Sequence, residues 1–319
     1  MVMDMNFQVL AERWEKAEGP TMKKPTLGHY HQSLNACILP VFGKCRINSI
    51  NREDIQNFLV QKAKTYSRSS LRRMRTVLSL TLYWASDCGW IEANPCVRIR
   101  MPQQVGGTSV KRTVLTPEQI NAIVNSLEEP YATLVLFITA TGLRVSEAVA
   151  VKWSDFTGNV VAVSRRIYAG EIGDVKTMRS VRRLPVDPKL IERMRGLGKE
   201  HEYAFRIKAL GQPFVNDWVL RSKAGTPVNP GNVRKRYVRP VVKELGIAMG
   251  GWHDLRHTLS TTLRKAKVHP KVVSDILGHS KVNLATDVYD RTDVQDFEQP
   301  LASVAKNLLP IVTQSTSAA

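Results

Sequence analysis

The stretch 251-GWHDLRHTLS-260 sets His253 and His257 four apart and puts Arg256 three positions beyond the first histidine. On a helix, positions i, i+3 and i+4 share a face, so His253 can stand beside either His257 or Arg256. The first pairing suits a metal and the second suits a phosphate. A zinc hydrolase of the H-E-x-x-H type needs a glutamate directly after the first histidine and a third ligand further on. Here that position is Asp254, whose arm is shorter, and the third ligand would have to be His269 or His279. An isolated histidine pair of this kind most often only caps and packs a helix, so the decision falls to the rest of the chain.

The chain has 319 residues, enough for two domains with a core each, and its 43% hydrophobic and 23% charged content is ordinary for globular protein. Its charge is not ordinary, because 46 Lys+Arg against 28 Asp+Glu leave a net +18. A surplus of that size implies a polyanionic partner, either nucleic acid or an anionic membrane surface. No stretch approaches the run of about 18 apolar residues that a membrane span requires. The start, MVMDMNFQVLAERWEK, lacks the basic then apolar layout of a signal peptide. The expectation is a cytoplasmic protein, nucleoid-associated while acting, with no membrane partner. Zinc would explain neither the arginines nor the net charge. Cys37, Cys45, Cys88 and Cys96 form two pairs with seven residues between partners, which is neither a redox motif nor close zinc spacing. They read as reduced, packing cysteines.

The first third reads as short helices. In 69-SSLRRMRTVLSLTLYWASDCGW-90, Leu71, Met74, Leu78, Leu82 and Ala85 recur at helical spacing and turn Arg72, Arg73 and Arg75 mostly aside. These arginines, with Arg68, are candidate DNA contacts, although such a charge run is usually a solvated face. Near residues 101–112 the texture changes to proline, Gly106-Gly107 and basic and polar residues, which reads as a linker. Thr116-Pro117-Glu118 then reads as a helix cap with proline in the first turn. Beyond it, YATLVLFITATG is a buried helix, NVVAVSRRIY a strand with a basic end, AGEIGD a turn and VKTMRSVRRLPV a second basic strand. Helices follow to about residue 310, and the closing STSAA should be disordered.

In order, the second part offers TGLRVSE at 141–147, KTMRSVRRLP at 176–185, HDLRH at 253–257, LGHS at 277–280 and TDVY at 286–289. Together these motifs resemble the tyrosine recombinases, the phage integrases and their Xer-like relatives. The resemblance extends over nearly the whole chain, since GHYHQSLN, FGKCRINSINREDIQNFL and the basic helix after them are similar to that family's helical core-binding domain. It implies a mainly α protein with a small antiparallel sheet, built as a two-domain C-shaped DNA clamp. The expected layout is an extension at 1–25, a core-binding domain at 26–100, the linker at 101–112, a catalytic domain at 113–298 and a C-terminal helix and tail at 299–319. No separate arm-binding domain of the lambda integrase kind is expected ahead of it.

The resemblance assigns roles that suit phosphodiester chemistry. Attack on a phosphodiester adds negative charge to the phosphoryl oxygens, which fixed positive donors can balance. Arginine does this with a planar fork that stays charged. By resemblance, Arg144 and Arg256 clamp the phosphate, Lys176 protonates the leaving 5′ oxygen, His253 and His279 assist, and Tyr289 is the nucleophile. His257 is taken as structural. Tyr289 lies one position further from His279 than is usual in the family, and Asp290 follows where a histidine is common. Further candidate DNA contacts are Arg165 and Arg166, Arg182, and Arg234, Lys235 and Arg236. No cofactor is implied. The partners implied are duplex recombination sites, a homotetramer on two duplexes and accessory DNA-bending proteins. In PLASVAKNLLPIV, Leu301, Val304 and Leu308 form an apolar face with no evident partner in its own chain, which the resemblance would dock on a neighbouring protomer. Three alternatives stay open: a DNA-binding protein that has lost the chemistry, a zinc hydrolase using His253 and His257, and a topoisomerase-like relaxase.

Overall fold

Asn6 accepts a hydrogen bond from the amide of Val9 and so starts the first helix, α1 (Phe7–Glu18). A computed structural model of the protein describes residues 5–103, 112–174, 181–206, 217–278 and 293–308. The chain divides into two units, Met1–Val110 and Lys111–Ala319.

In the first unit, α1 is followed by α2 (Lys24–Ser33), a π-helical turn at Leu34–Ile38, α3 (Leu39–Phe42), α4 (Arg52–Ala63) and α5 (Arg68–Asp87). Asn51 and Asp54 close a reciprocal capping box on α4, and the Ser67 hydroxyl caps α5. Along α5, Leu71, Met74, Leu78, Leu82 and Ala85 are all buried, as their spacing predicts. Residues 5–25 do not lie outside this domain as an extension. Phe7, Leu10, Ala11 and Trp14 fall at i, i+3, i+4 and i+7, and this single apolar stripe is buried in the same core as α4 and α5.

The second unit begins with α6 (Pro117–Asn125), capped by Thr116 and Gln119, and α7 (Tyr131–Thr141), whose residues from Ala132 onward are all buried. A helix that is apolar on every side belongs inside a core, and α7 is the axis of this one. After α8 (Val145–Ala148) come β1 (Phe156–Thr157), β2 (Val160–Val163), β3 (Arg165–Tyr168), β4 (Glu171–Asp174) and β5 (Arg182–Pro185). Strand β2 pairs antiparallel with both β1 and β5, while β3 and β4 form a separate hairpin. The sequence AGEIGD reads as a turn throughout, but in the structure only Ala169 and Gly170 turn. Their φ values of 50° and 82° make a two-residue connection that matches strand twist, which frees Glu171–Asp174 to pair with β3.

Helices α9 (Pro188–Arg206), α10 (Pro230–Val233), α11 (Arg239–Glu244), α12 (Trp252–Lys265), α13 (Pro270–Leu277) and α14 (Gln295–Leu308) complete the unit. The architecture is mainly α with small antiparallel sheets, as expected. One expectation fails at α14. Its apolar face has a partner in its own chain: Phe297, Leu301, Val304 and Ala305 are buried, and the helix packs on α7 and α12. It also starts at Gln295, ahead of the boundary expected at residue 299. Among the described residues no helix is long and apolar enough to cross a membrane. The four cysteines are free thiols, Cys37 and Cys96 buried; burial pushes the Cys96 thiol up to about 12 against the pull of Arg75.

Candidate active site

Helix α7 ends at Gly142, which takes the left-handed conformation (φ 65°, ψ 18°) and reverses the chain into α8. Only glycine fits here. A Cβ would stand 2.6 Å from Leu259 and 2.7 Å from Leu277, the side chains that pack α12 and α13 against this turn. The reversal delivers Arg144 to the N-cap of α8. Three residues on, Glu147 accepts hydrogen bonds from the Arg144 amide (3.0 Å), from Arg144 Nη1 (2.7 Å) and from Arg182 Nη2 (2.9 Å). Glu147 is only 3% exposed. Burial by itself would raise its pKa, but Arg182 and Arg144 hold it below the ordinary carboxylate value.

The second anchor is the C-terminal end of α13. A helix leaves its last carbonyls without intrahelical donors, and cations are favoured there. Three arginines meet this need in order: Arg182 Nε donates to the Ile276 carbonyl (2.8 Å), Arg256 Nη2 to that of Leu277, and Arg144 Nη2 to that of Gly278 (3.2 Å). Arg256 also donates through Nη1 to the carbonyl of Gly142, so it ties the ends of α7 and α13 together. Gly278 adopts φ 60°, and a Cβ on it would lie 2.8 Å from the Arg182 guanidinium.

These contacts set Arg144 and Arg256 on the wall of a pocket of about 190 Å³, lined also by Arg112, His253, His257, Ser260 and Leu277. Its lining holds three arginines and two histidines and, among the described residues, no carboxylate. The Arg256 guanidinium, 7% exposed, is pushed down to about 9, by burial first and then by Arg144 and Arg182, with Glu147 opposing. His253 sits at the rim. Partial burial, followed by Arg256, Arg112 and Arg144, presses its pKa below the usual histidine value. Such a pocket attracts a compact anion with planar donors already oriented. Asp254, the residue that a zinc hydrolase would need as a base, is turned away: its carboxylate caps α12 by accepting from the amides of Gly250 (2.6 Å) and Gly251 (3.4 Å). Among the described residues no group of three or more His, Cys, Asp or Glu side chains could hold a metal ion.

Of the six residues to which the resemblance gave catalytic roles, the structure brings Arg144, His253 and Arg256 into one pocket. Lys176, His279 and Tyr289 lie outside the described residues. Arg182 is not a DNA contact. It is 8% exposed and committed to Glu147 and Ile276, so its place in a basic strand misrepresents its role. Arg165 is paired with Asp155 (2.5 Å), Arg166 donates to the Asp174 carbonyl (3.2 Å), and Arg234 donates to that of Gly250. Lys235 and Arg236 are exposed in the π-helical turn Arg234–Val238, and Arg68 and Arg72 are exposed on α5, where Arg73 and Arg75 are half-buried. Two site residues escaped the sequence reading. Glu147 stood inside the quoted TGLRVSE without a role, although a glutamate three residues after a helix start is a capping signal. Arg112 falls at the end of the stretch that reads as a linker.

Comparison with known proteins fits this geometry. The phage integrase family matches residues 113–296, and the phage integrase central domain matches residues 7–101. The chain belongs to the phage integrase family. The central-domain match begins with α1, in keeping with its place in the first core. The chain is 27% identical over 289 residues to a XerC-like tyrosine recombinase of Caldanaerobacter subterraneus subsp. tengcongensis, covering 82% of this chain and 72% of that protein. It is 26% identical to an integrase of Streptomyces ambofaciens, covering 79% and 67%. Among solved structures, the integrase of transposon Tn1549 in complex with transposon right-end DNA superposes with a TM-score of 0.70 at 20% identity, covering 94% of this chain and all of that one. A lambda integrase tetramer bound to a Holliday junction superposes with a TM-score of 0.64 at 18% identity, covering 91% and 81%. This integrase is a tyrosine-type site-specific recombinase, an enzyme whose partner is DNA. The readings as a binding protein without chemistry and as a zinc hydrolase are not favoured.

Proposed function

We propose that the pocket of Arg144, His253 and Arg256 holds the scissile phosphate of a duplex recombination site, and that Tyr289 cleaves it. The observation that carries this reading is the convergence of both arginines and His253 on one pocket, with the guanidiniums oriented from behind by carbonyls and Glu147. The Tyr289 hydroxyl attacks phosphorus, a 3′-phosphotyrosyl ester forms, and the bond to the 5′ oxygen breaks. Arg144 and Arg256 balance the charge that develops on the phosphoryl oxygens. A free phenol has a pKa of about 10, so its proton must leave during the attack, and His253, whose pKa burial and the neighbouring arginines lower, is placed to receive it. Lys176 supplies the proton that the departing 5′ oxygen takes up, a step worth about 10² to 10⁴ in rate. His279 adds a second imidazole donor. Attack by the 5′ hydroxyl of a partner strand on the ester reverses the sequence. The ester conserves the bond, so the cycle as written needs neither ATP nor a metal.

The exposed basic side chains of Arg68, Arg72, Lys235 and Arg236, with Arg73 and Arg75 beside them, supply phosphate contacts that position the duplex without reading its sequence. Arg165, Arg166 and Arg234 retain donors for the same use. The reading includes a homotetramer on two duplexes, help from DNA-bending proteins and action on DNA in the cytoplasm. Because α14 is committed to its own core, any exchange through this helix would require it to undock first. The test is incubation with duplexes from the DNA flanking the gene, nicked beside the site so that the cleaved strand is trapped. An SDS-resistant protein–DNA adduct that is lost in Tyr289→Phe is expected. Tight binding with no adduct on any nicked duplex would overturn the proposal.

A further inference from the structure

Arg112 belongs to none of the motifs that identify the family, and it stands at the very start of the second unit. Three residues later the chain is fastened to α12: Leu115 is 2% exposed, and its amide donates to Thr258 Oγ1 (3.0 Å), whose hydroxyl in turn donates to the Asp254 carbonyl (2.8 Å). Thr116 then begins the capped helix α6. The segment is therefore held on the helix that carries His253 and Arg256, and its first arginine is exposed at the mouth of their pocket.

The other arginines near this pocket are already engaged with protein acceptors. Arg144 holds Glu147 and Gly278, Arg256 holds Gly142 and Leu277, and Arg182 holds Glu147 and Ile276. Arg112 has no hydrogen bond or ion pair to any of the described residues. An exposed guanidinium set against other cations, with no acid beside it among the described residues, gains most from an anion that all of them share. The proximity is also felt electrostatically, since Arg112 helps to depress the pKa of both His253 and Arg256.

The geometry points to Arg112 as a third arginine of the phosphate pocket, one that folds onto the non-bridging oxygens of the scissile phosphate when DNA enters. This rests on the reading that the pocket holds that phosphate. Arg144 and Arg256 are fixed in advance, whereas Arg112 arrives with the ligand, so its contribution is made in the DNA complex.

The experiment compares Arg112→Ala, Arg112→Lys and Arg256→Ala on two nicked duplexes from the DNA flanking the gene. One carries an ordinary scissile phosphate and the other a methylphosphonate, which lacks the negative charge. On the ordinary duplex, Arg112→Ala is expected to form the covalent complex about tenfold more slowly, less than the factor of about 10² to 10³ for a fixed donor, with Arg112→Lys recovering part. On the methylphosphonate duplex the difference between Arg112→Ala and the unaltered protein should vanish. An unchanged rate on the ordinary duplex overturns the inference, and so does an equal deficit on both duplexes, which would assign Arg112 to another phosphate. If Arg256→Ala also cleaves normally, the pocket reading itself fails; if Arg256→Ala is slowed and Arg112→Ala is not, only this inference fails. Should no duplex be cleaved, the salt dependence of DNA binding decides: the slope should fall by about 0.9 in Arg112→Ala, and an unchanged slope overturns the inference.

Discussion

The basic helix α5 and the arginine pocket at the end of α13 both gather positive charge, and they support it in opposite ways. On α5 the apolar stripe faces the core and the arginines lie at the surface or half-buried, where water solvates them and salt screens them. At α13, Arg182 and Arg256 are 8% and 7% exposed, and each needs fixed acceptors because a buried charge without a partner is costly. The first arrangement can attract a polyanion from a distance but orients nothing. The second can orient a phosphate to within a hydrogen bond, provided that the protein behind it is intact.

Removing Glu147 should have the largest effect. Glu147→Ala leaves Arg182 buried without its acid and is expected to cost about 3 to 5 kcal/mol in urea unfolding, with Glu147→Ala/Arg182→Met recovering much of the loss. A loss below about 1 kcal/mol would make the pocket no different from a surface ion pair and dissolve the contrast. Next, Arg256→Ala should slow adduct formation by about 10² to 10³ while leaving DNA affinity at low salt nearly unchanged. The α5 double substitution Arg72→Ala/Arg73→Ala should do the reverse, lowering the salt slope of binding by about 1.8 while cleavage at saturating DNA persists. If both sets act on binding alike, the division of labour is wrong.

The smallest effect concerns pH. The folded pKa of His253 lies below its ordinary value of about 6.5, so as pH falls through 6.5 the unfolded chain takes up the proton first. The stability contributed by the neutral imidazole is thus complete above that value and declines below it. Cleavage should likewise hold steady down through pH 6.5 and fall only in more acidic solution. In Arg112→Ala one of the repelling cations is gone, and the fall should begin at higher pH. Adduct rates across pH, together with the His253 resonance, would check both.

What could be read from the sequence was whatever local order carries. The α5 stripe, the wholly apolar α7 and the turn that presents Arg144 follow from spacing and from glycine placement. The joint appearance of Arg144, His253 and Arg256 followed from motif order. Partners distant in the chain were not legible. Arg182 looked like one more basic residue of a strand because its acid, Glu147, lies 35 positions away. The apolar face of α14 was visible, but the surface that covers it belongs to α7 and α12, far upstream. Arg112 sat among linker residues, and the burial of Leu115 with its amide on Thr258, 143 positions away, holds the segment at the pocket. Helix α1 was the exception, since its Phe7, Leu10, Ala11 and Trp14 stripe was there to be counted.

The end of α13 works as a keyed socket. Three consecutive carbonyls seat three arginines, and none can be withdrawn without leaving a buried carbonyl or guanidinium bare. Withdrawing any one of them therefore carries a cost. The chain that leaves this socket at Gly278 is the one that runs on to Tyr289. On the proposed reading, the segment that carries the nucleophile therefore starts from the carbonyl on which Arg144 is seated.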